Sequence, residues 1–221
     1  MSLSKGLSKA PRTATAAAPK RNLADGRVRI IGGAWRSRVV RFPGTEDLRP
    51  TADRVRETVF NWLGQDLTGH HCLDLFAGSG ALGFEALSRG AKSVVMVERD
   101  ARVRAALSAN ANLLDETLLT SGRLTIIAGD ALQFLRSGVQ PTVELFDVIF
   151  CDPPFREEWF VRLLPLPLLR SRLTERGMVY AESGTPFASN PAWTVRKSGK
   201  AGQVFFSLLE PIREVAAGVP T

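Results

Sequence analysis

The 221-residue chain is poor in the residues on which several kinds of function depend. It has two cysteines and two histidines. Two cysteines cannot make the disulfide framework of a small secreted scaffold. Cys72 opens one apolar segment and Cys151 closes another, so in a parallel sheet they lie at different heights and stay as thiols. The histidines are adjacent, His70 and His71, with no ligand cluster around them, which leaves no metal site to read and places them in the loop entering the first strand of the main domain. No apolar run reaches the roughly 18 residues of a membrane span, and no charged start followed by an apolar stretch suggests secretion. The expectation is a cytoplasmic protein without a membrane partner. No internal repeat is evident.

Acidic residues are missing from the N-terminal part. Residues 1–70 carry 13 Lys and Arg against 6 Asp and Glu, whereas residues 71–221 carry 16 of each, so the net charge of +7 is N-terminal. Residues 1–24 hold Lys5, Lys9, Arg12, Lys20 and Arg21 with no acid, among Ala, Ser, Thr and Pro. Such a segment buries too little apolar surface to fold alone, and residues 1–26 read as a disordered basic tail. An organellar transit peptide is the alternative, weakened by only two arginines among the five charges.

What the chain does have is an α/β pattern with 44% hydrophobic residues, enough for one domain and a small appendage. Residues 27–31 and 38–42 flank the turn-rich Gly32-Gly33-Ala34-Trp35-Arg36-Ser37 and read as a β-hairpin. Arg27, Arg29, Arg36, Arg38 and Arg41 fall within it without an acid. A solvated basic face would suffice for such a pattern, but an enzyme acting on nucleic acid needs cations on phosphates, and with Arg49 these are the candidate RNA contacts. Thr51 is placed to N-cap a helix with apolar face Val55, Val59, Phe60 and Leu63, and Asp53 in its first turn suits the helix dipole. Strands then read at 72–76, 93–98, 123–128, 146–151 and 177–182, alternating with helices near 80–89, 100–114, 131–137 and 157–172, the last interrupted by Pro165 and Pro167. A closing hairpin spans 193–196 and 203–208. The division is a 1–26 tail, a 27–50 hairpin and a 51–221 doubly wound catalytic domain.

Two segments carry chemistry. Gly78-Ser79-Gly80-Ala81-Leu82-Gly83 matches G-x-G-x-x-G, and Glu98, 18 residues past Gly80, ends the run Val94–Val97. That spacing fits both NAD and S-adenosylmethionine. Asp74, near the end of the preceding strand, separates them: a carboxylate there opposes a pyrophosphate but attracts the ammonium and sulfonium of S-adenosylmethionine. Asp130, just after the third strand, lies at the same edge, where it can accept from the cofactor's adenine amine, N-cap the next helix, or both. Phe76, Arg99 and Ala131 flank these residues in the same cofactor site.

The second segment is Asp152-Pro153-Pro154-Phe155. An aromatic amine is a poor nucleophile because its lone pair is delocalised into the ring. Two acceptors gripping its N–H groups, the Asp152 carboxylate and the Pro153 carbonyl, favour pyramidalisation and stabilise the charge that develops on nitrogen. The prolines fix that carbonyl, and Phe155 stacks on the base. Taken together, the segments indicate methyl transfer to a nucleobase nitrogen. An NAD(P)-linked oxidoreductase stays open on the glycine motif alone, as does a non-catalytic RNA-binding assembly factor, and the motif also serves adenine N6 acceptors.

The run LRPTADRVRETVFNWL at 48–63, the run LDLFAGSGALGFEALSRGA at 73–91 and Asp152-Pro153-Pro154-Phe155 give a resemblance, from about Arg27 to Leu209, to the RsmD-type 16S rRNA guanine-N2 methyltransferases of bacteria. The resemblance implies a class I methyltransferase domain, Rossmann-like with a mostly parallel seven-stranded sheet, S-adenosylmethionine as donor, and a guanine of 16S rRNA or of the assembling small subunit as acceptor. By position it implies Asp74, Gly78, Gly80, Glu98 and Asp130 at the cofactor and Asp152 to Phe155 at the base. That family often has Tyr where Phe155 stands; stacking survives the change and any role of the hydroxyl is lost. A monomer is expected.

Overall fold

The computed structural model describes residues 25–44, 51–136, 145–154 and 167–213. The basic tail expected before Arg27, Arg49, Phe155 and most of the helix read at 157–172 lie outside them.

The alternation of apolar strands and helices produces one seven-stranded sheet. Strands β3 (His71–Asp74), β4 (Ser93–Glu98), β5 (Leu124–Ala128), β6 (Phe146–Cys151) and β7 (Leu173–Ser183) are parallel, and a closing hairpin of β8 (Trp193–Ala201) and β9 (Val204–Pro211) adds antiparallel to β7. Their order is β5-β4-β3-β6-β7-β9-β8. The chain winds outward one way from β3 to β5 and the other way from β6, so the switch point lies between β3 and β6, where open α/β sheets bind ligands beyond the carboxyl ends of their strands. Helices α1 (Asp53–Trp62), α2 (Ala81–Ser88) and α3 (Ala101–Leu114) cover one face through Val59, Phe60, Phe84 and Leu107, while α4 (Ala131–Arg136) and α5 (Pro167–Arg170) cover the other through Leu132, Phe134, Leu135 and Leu169. With both faces covered, β4 is buried at every residue but its last, as a continuous apolar run predicts. Cys72 pairs with Val148, three residues before Cys151 on the neighbouring strand, and both thiols are free and buried.

The hairpin of β1 (Gly26–Arg29) and β2 (Val39–Phe42) is where it was expected, and its alternation has a consequence. Val28, Ile30, Val40 and Phe42 point inward and join the same core as α1 to α3, leaving Arg27, Arg29 and Arg41 on the outer side. The hairpin is tied down further by the fully buried Arg56. Its guanidinium reaches Glu85 Oε2 at 3.2 Å, the Arg29 carbonyl at 2.8 Å and Asp53 Oδ1 at 2.6 Å, while the same Glu85 oxygen accepts from the Ile31 N–H at 2.9 Å. Arg89 Nε donates to the other Glu85 oxygen at 2.9 Å. A buried charge this well paired is costly to unpair, which locks hairpin, α1 and α2 together.

Three expectations need correction. Ala52, not Thr51, occupies the N-cap of α1, and no side chain caps it; the Thr51 hydroxyl is engaged elsewhere. Strand β7 begins at Leu173 rather than 177, because the polar Thr174-Glu175-Arg176 lies across a register shift opposite Phe146–Val148. Gly177 permits that passage: a Cβ there would stand 2.7 Å from the Phe146 carbonyl. His71 is the first residue of β3, with Nδ1 2.7 Å from Ser93 Oγ, so only His70 is in the loop.

Candidate active site

Because strands β5, β4, β3, β6 and β7 are parallel, they end at one edge, and each ends on or beside an acid. In spatial order these are Asp130, Glu98, Asp74, Asp152 and Glu182. Four of the five were legible in the sequence. They face the switch point between β3 and β6, with Asp74 on one side and Asp152 on the other.

The glycine segment shapes the cofactor half. Gly80, at φ 77°, ends the turn in the left-handed region and sits at the N-cap of α2; a Cβ there would stand 2.5 Å from the Phe84 ring. Gly83 lets α2 lie on the sheet, since its Cβ would meet the Met96 methyl at 2.4 Å. Main-chain N–H groups then hold the carboxylates. Glu98 accepts from Gly78 at 3.0 Å and from Asp100 at 2.8 Å through different oxygens. Asp130 accepts from Leu132 at 2.9 Å and Gln133 at 3.3 Å, so it does cap α4. Phe76 and Ala131 flank the row, the latter buried; Arg99 follows Glu98, is exposed, and its carbonyl accepts from Arg104 Nη1 at 2.6 Å.

Asp74 differs from its neighbours. Its side chain is 1% exposed and lies against the N–H groups of Phe76 and Gly83, yet Oδ1 has no hydrogen-bond partner. Burial lifts the carboxyl from 3.8 to about 7, and the nearby charge of Glu98 adds to the rise. A buried, half-satisfied carboxylate is a costly arrangement unless a cation completes it. The α-ammonium of S-adenosylmethionine is such a cation, and the Glu98 carboxylate retains acceptor capacity for ribose hydroxyls. The residues present therefore fit that cofactor.

The acceptor half is held by side chains. Asp152, partly exposed, follows β6 and accepts from the Thr51 hydroxyl at 2.9 Å through Oδ2. Pro153 is buried and Pro154 half-buried. Beside Asp152 lies Glu182, 4% exposed, which accepts from Tyr180 Oη at 2.5 Å. Burial raises the Asp152 carboxyl well above the ordinary range, and the charge of Glu182 raises it further, against the Thr51 hydrogen bond. Thr51 is itself fixed by Arg56, whose Nε donates to its carbonyl at 3.2 Å.

Thr51 as a site residue, Tyr180, Glu182 and Arg56 escaped the sequence reading. Glu182 could have been found by the rule that found the others, an acid closing an apolar strand; Thr51 and Arg56 had no local signal. Among the arginines, Arg27, Arg36 and Arg41 are exposed, and Arg29 is exposed with Asp53 at 3.7 Å. Arg38 is not a free cation: its guanidinium donates to the Leu113 and Leu114 carbonyls, the last turn of α3, where a cation suits the helix dipole.

The family described as Conserved hypothetical protein 95 matches residues 28–210. Ribosomal RNA small subunit methyltransferase D of Escherichia coli K12 is 38% identical over 190 residues, covering 84% of this chain and 90% of that protein. The protein of the same name from Haemophilus influenzae is 40% identical over 190 residues, 85% of this chain and 95% of its own. The chain belongs to the RsmD-type methyltransferase family. A solved structure from Escherichia coli, described as a putative methyltransferase, superimposes with a TM-score of 0.69 at 37% identity, covering 84% of this chain and 98% of that one. The family match begins at Val28, so it takes in all of the basic hairpin but its first two residues.

Proposed function

We propose that this protein methylates 16S rRNA with S-adenosylmethionine as donor, and that the atom modified is the exocyclic N2 of a guanine. The observation that carries the reading is the pairing, across the switch point, of the buried unsatisfied Asp74 with Asp152 and the Pro153 carbonyl. When bound, the cofactor supplies a methyl group already activated on sulfonium, so the chain's own residues have to position the acceptor. Asp74 receives the cofactor's ammonium, and Glu98 its ribose. Asp152 and Pro153 accept from the two N–H groups of the base amine, steering its lone pair toward the methyl and stabilising the charge that forms. Phe155 supplies the stacking surface. Names of relatives 38–40% identical support rRNA of the small subunit as the substrate class, and Arg27, Arg36 and Arg41 supply cations for its phosphates. We further propose that the protein acts as a cytoplasmic monomer on the assembling subunit, the 27–50 segment being the RNA-facing extension of the 51–221 catalytic domain.

Mass spectrometry of nucleosides from 16S rRNA, with and without this protein in the cell, tests the reading. Loss of one N2-methylguanosine in its absence is expected. Loss of an N6-methyladenosine instead would overturn the base assignment, and no change would overturn the activity.

A further inference from the structure

Thr51 stands at the start of α1, where a threonine hydroxyl ordinarily accepts from the first free N–H groups of the helix. Here it does not. Ala52 takes the N-cap position, no side chain caps the helix, and Thr51 Oγ1 donates instead to Asp152 Oδ2 at 2.9 Å, 101 residues away in sequence. Such a breach of a local rule points to a use elsewhere. The residue carrying this hydroxyl is itself held: Thr51 is 7% exposed, and its carbonyl accepts from Nε of the fully buried Arg56 at 3.2 Å. The other two guanidinium nitrogens of Arg56 donate to Glu85, Asp53 and the Arg29 carbonyl, and a planar fork engaged at all three nitrogens has little freedom to turn. Hairpin, α1 and α2 thus converge on the placement of one hydroxyl. Asp152 has no comparable support of its own: it follows the last residue of β6, is partly exposed, and among the described residues only Thr51 hydrogen-bonds its carboxylate.

We propose that Thr51 is a positioning residue of the acceptor site, which turns the Asp152 carboxylate toward the base amine. The inference rests on the methyltransferase reading and adds to it a residue outside both of the segments that carry the chemistry. The torsion that rotates a carboxylate plane is broad, so a side chain left to itself samples many orientations, and a donor on one oxygen narrows them. With Oδ2 taken by the hydroxyl, Oδ1 is the oxygen that accepts from the amine. Transfer in line with the sulfonium methyl is sensitive to placement, an error of about 1 Å lowering the rate on the order of 10²-fold. The same bond favours the ionised, accepting form of Asp152, against the burial and the Glu182 charge that raise its carboxyl.

Thr51→Val removes the hydroxyl and keeps the shape, while Thr51→Ser keeps the hydroxyl. Because that hydroxyl caps no helix N–H, neither change takes a hydrogen bond from α1. In turnover of the full-length protein on 16S rRNA, Thr51→Val should lower kcat by about tenfold or more, the scale of one hydrogen bond to a charged group. Affinity for S-adenosylhomocysteine and the KM for RNA should stay within about threefold of the parent. Thr51→Ser should recover part of the loss, with kcat at least about fivefold above that of Thr51→Val. Equal kcat in the two variants would overturn the proposal. So would a loss in Thr51→Val that calorimetry traces to a smaller fraction of protein binding S-adenosylhomocysteine, since that is the mark of a merely structural role. Should Thr51→Val not fold, Thr51→Ala takes its place. Crystals of the hydroxyl-free variant give a readout apart from activity: the Asp152 carboxylate should leave its parent orientation, and an unmoved carboxylate would overturn the role of Thr51. A parent protein that transferred no methyl group would refute the proposed function, while the orientation of Asp152 would still decide what Thr51 does.

Discussion

The two halves of the sheet's carboxyl edge are built by different means. Toward β5, Glu98 and Asp130 are held by main-chain N–H groups no more than 20 residues away in sequence. Toward β7, Asp152 and Glu182 are held by hydroxyls, and one of those, Thr51, is 101 residues from Asp152. The first half presets a pocket through local turn geometry, which suits one invariant cofactor. The second is assembled by packing α1 against the sheet, and Arg56 couples it to the hairpin by holding both the Thr51 and Arg29 carbonyls. A substrate-facing site so linked to a basic extension can be altered from a distance, whereas the cofactor site cannot.

The comparison is broken most severely at Asp152. Asp152→Ala should lower kcat by about 10²- to 10³-fold, because it removes an acceptor needed in the transition state, while affinity for S-adenosylhomocysteine stays within a few-fold. Asp152→Asn, which can still accept, should retain partial activity. Turnover within tenfold of the parent for the alanine variant, measured alongside calorimetry, would show that the two halves are not divided in this way.

A smaller, pH-dependent effect should mark Asp74. Its carboxyl, lifted to about 7, must ionise to receive the ammonium, so affinity for S-adenosylhomocysteine should climb by up to about tenfold per pH unit below 7 and level off above it. For the unliganded fold the sign is opposite: a raised carboxyl favours the folded state fully below about 4, and that contribution is lost as pH rises through about 7. Asp74→Asn should abolish the first dependence and flatten the second, as calorimetry and thermal melts between pH 5 and 8 would show. Glu98→Ala should follow at about 2 kcal/mol of cofactor binding, the scale of charge-assisted hydrogen bonds, with kcat at saturation little changed.

The smallest effects belong to the hairpin. Reversing Arg36 and Arg41 to Glu should raise the KM for RNA and flatten the salt dependence of binding, by about one unit of slope for each phosphate that is no longer neutralised. Arg38→Ala should leave the salt slope alone and instead cost about 1 kcal/mol of stability through the end of α3. If Arg38→Ala flattened the salt slope as the other changes do, the assignment of its guanidinium to the helix end would be wrong.

Legibility followed the range of the interactions. Asp74, Glu98, Asp130 and Asp152 were readable because each closes a run such as Val94–Val97 or Phe146–Cys151, and a parallel sheet sends all such ends to one edge. The reading of Thr51 as a cap failed because a threonine before a helix has a local use, and only packing showed its hydroxyl going to Asp152 instead. The hairpin arginines read as equivalent cations, yet Arg38 reaches a helix end that lies 75 residues on.

By itself the sequence determined the periods, the breaks and the chemistry at the strand ends: apolar runs of strand length alternating with helical ones, glycines where the chain turns left-handed beneath the cofactor, and an acid after each run. Those are set by local sterics and by the few ways a sheet can be wound. Tertiary structure alone decided which side chain completes which group: Thr51 on Asp152, Arg56 buried beneath the hairpin, Arg38 on a distant helix end, and Asp74 left with an oxygen unpaired. The reason is that a polar side chain in water is satisfied anywhere, and becomes committed to a partner only when burial removes the water that would otherwise serve it.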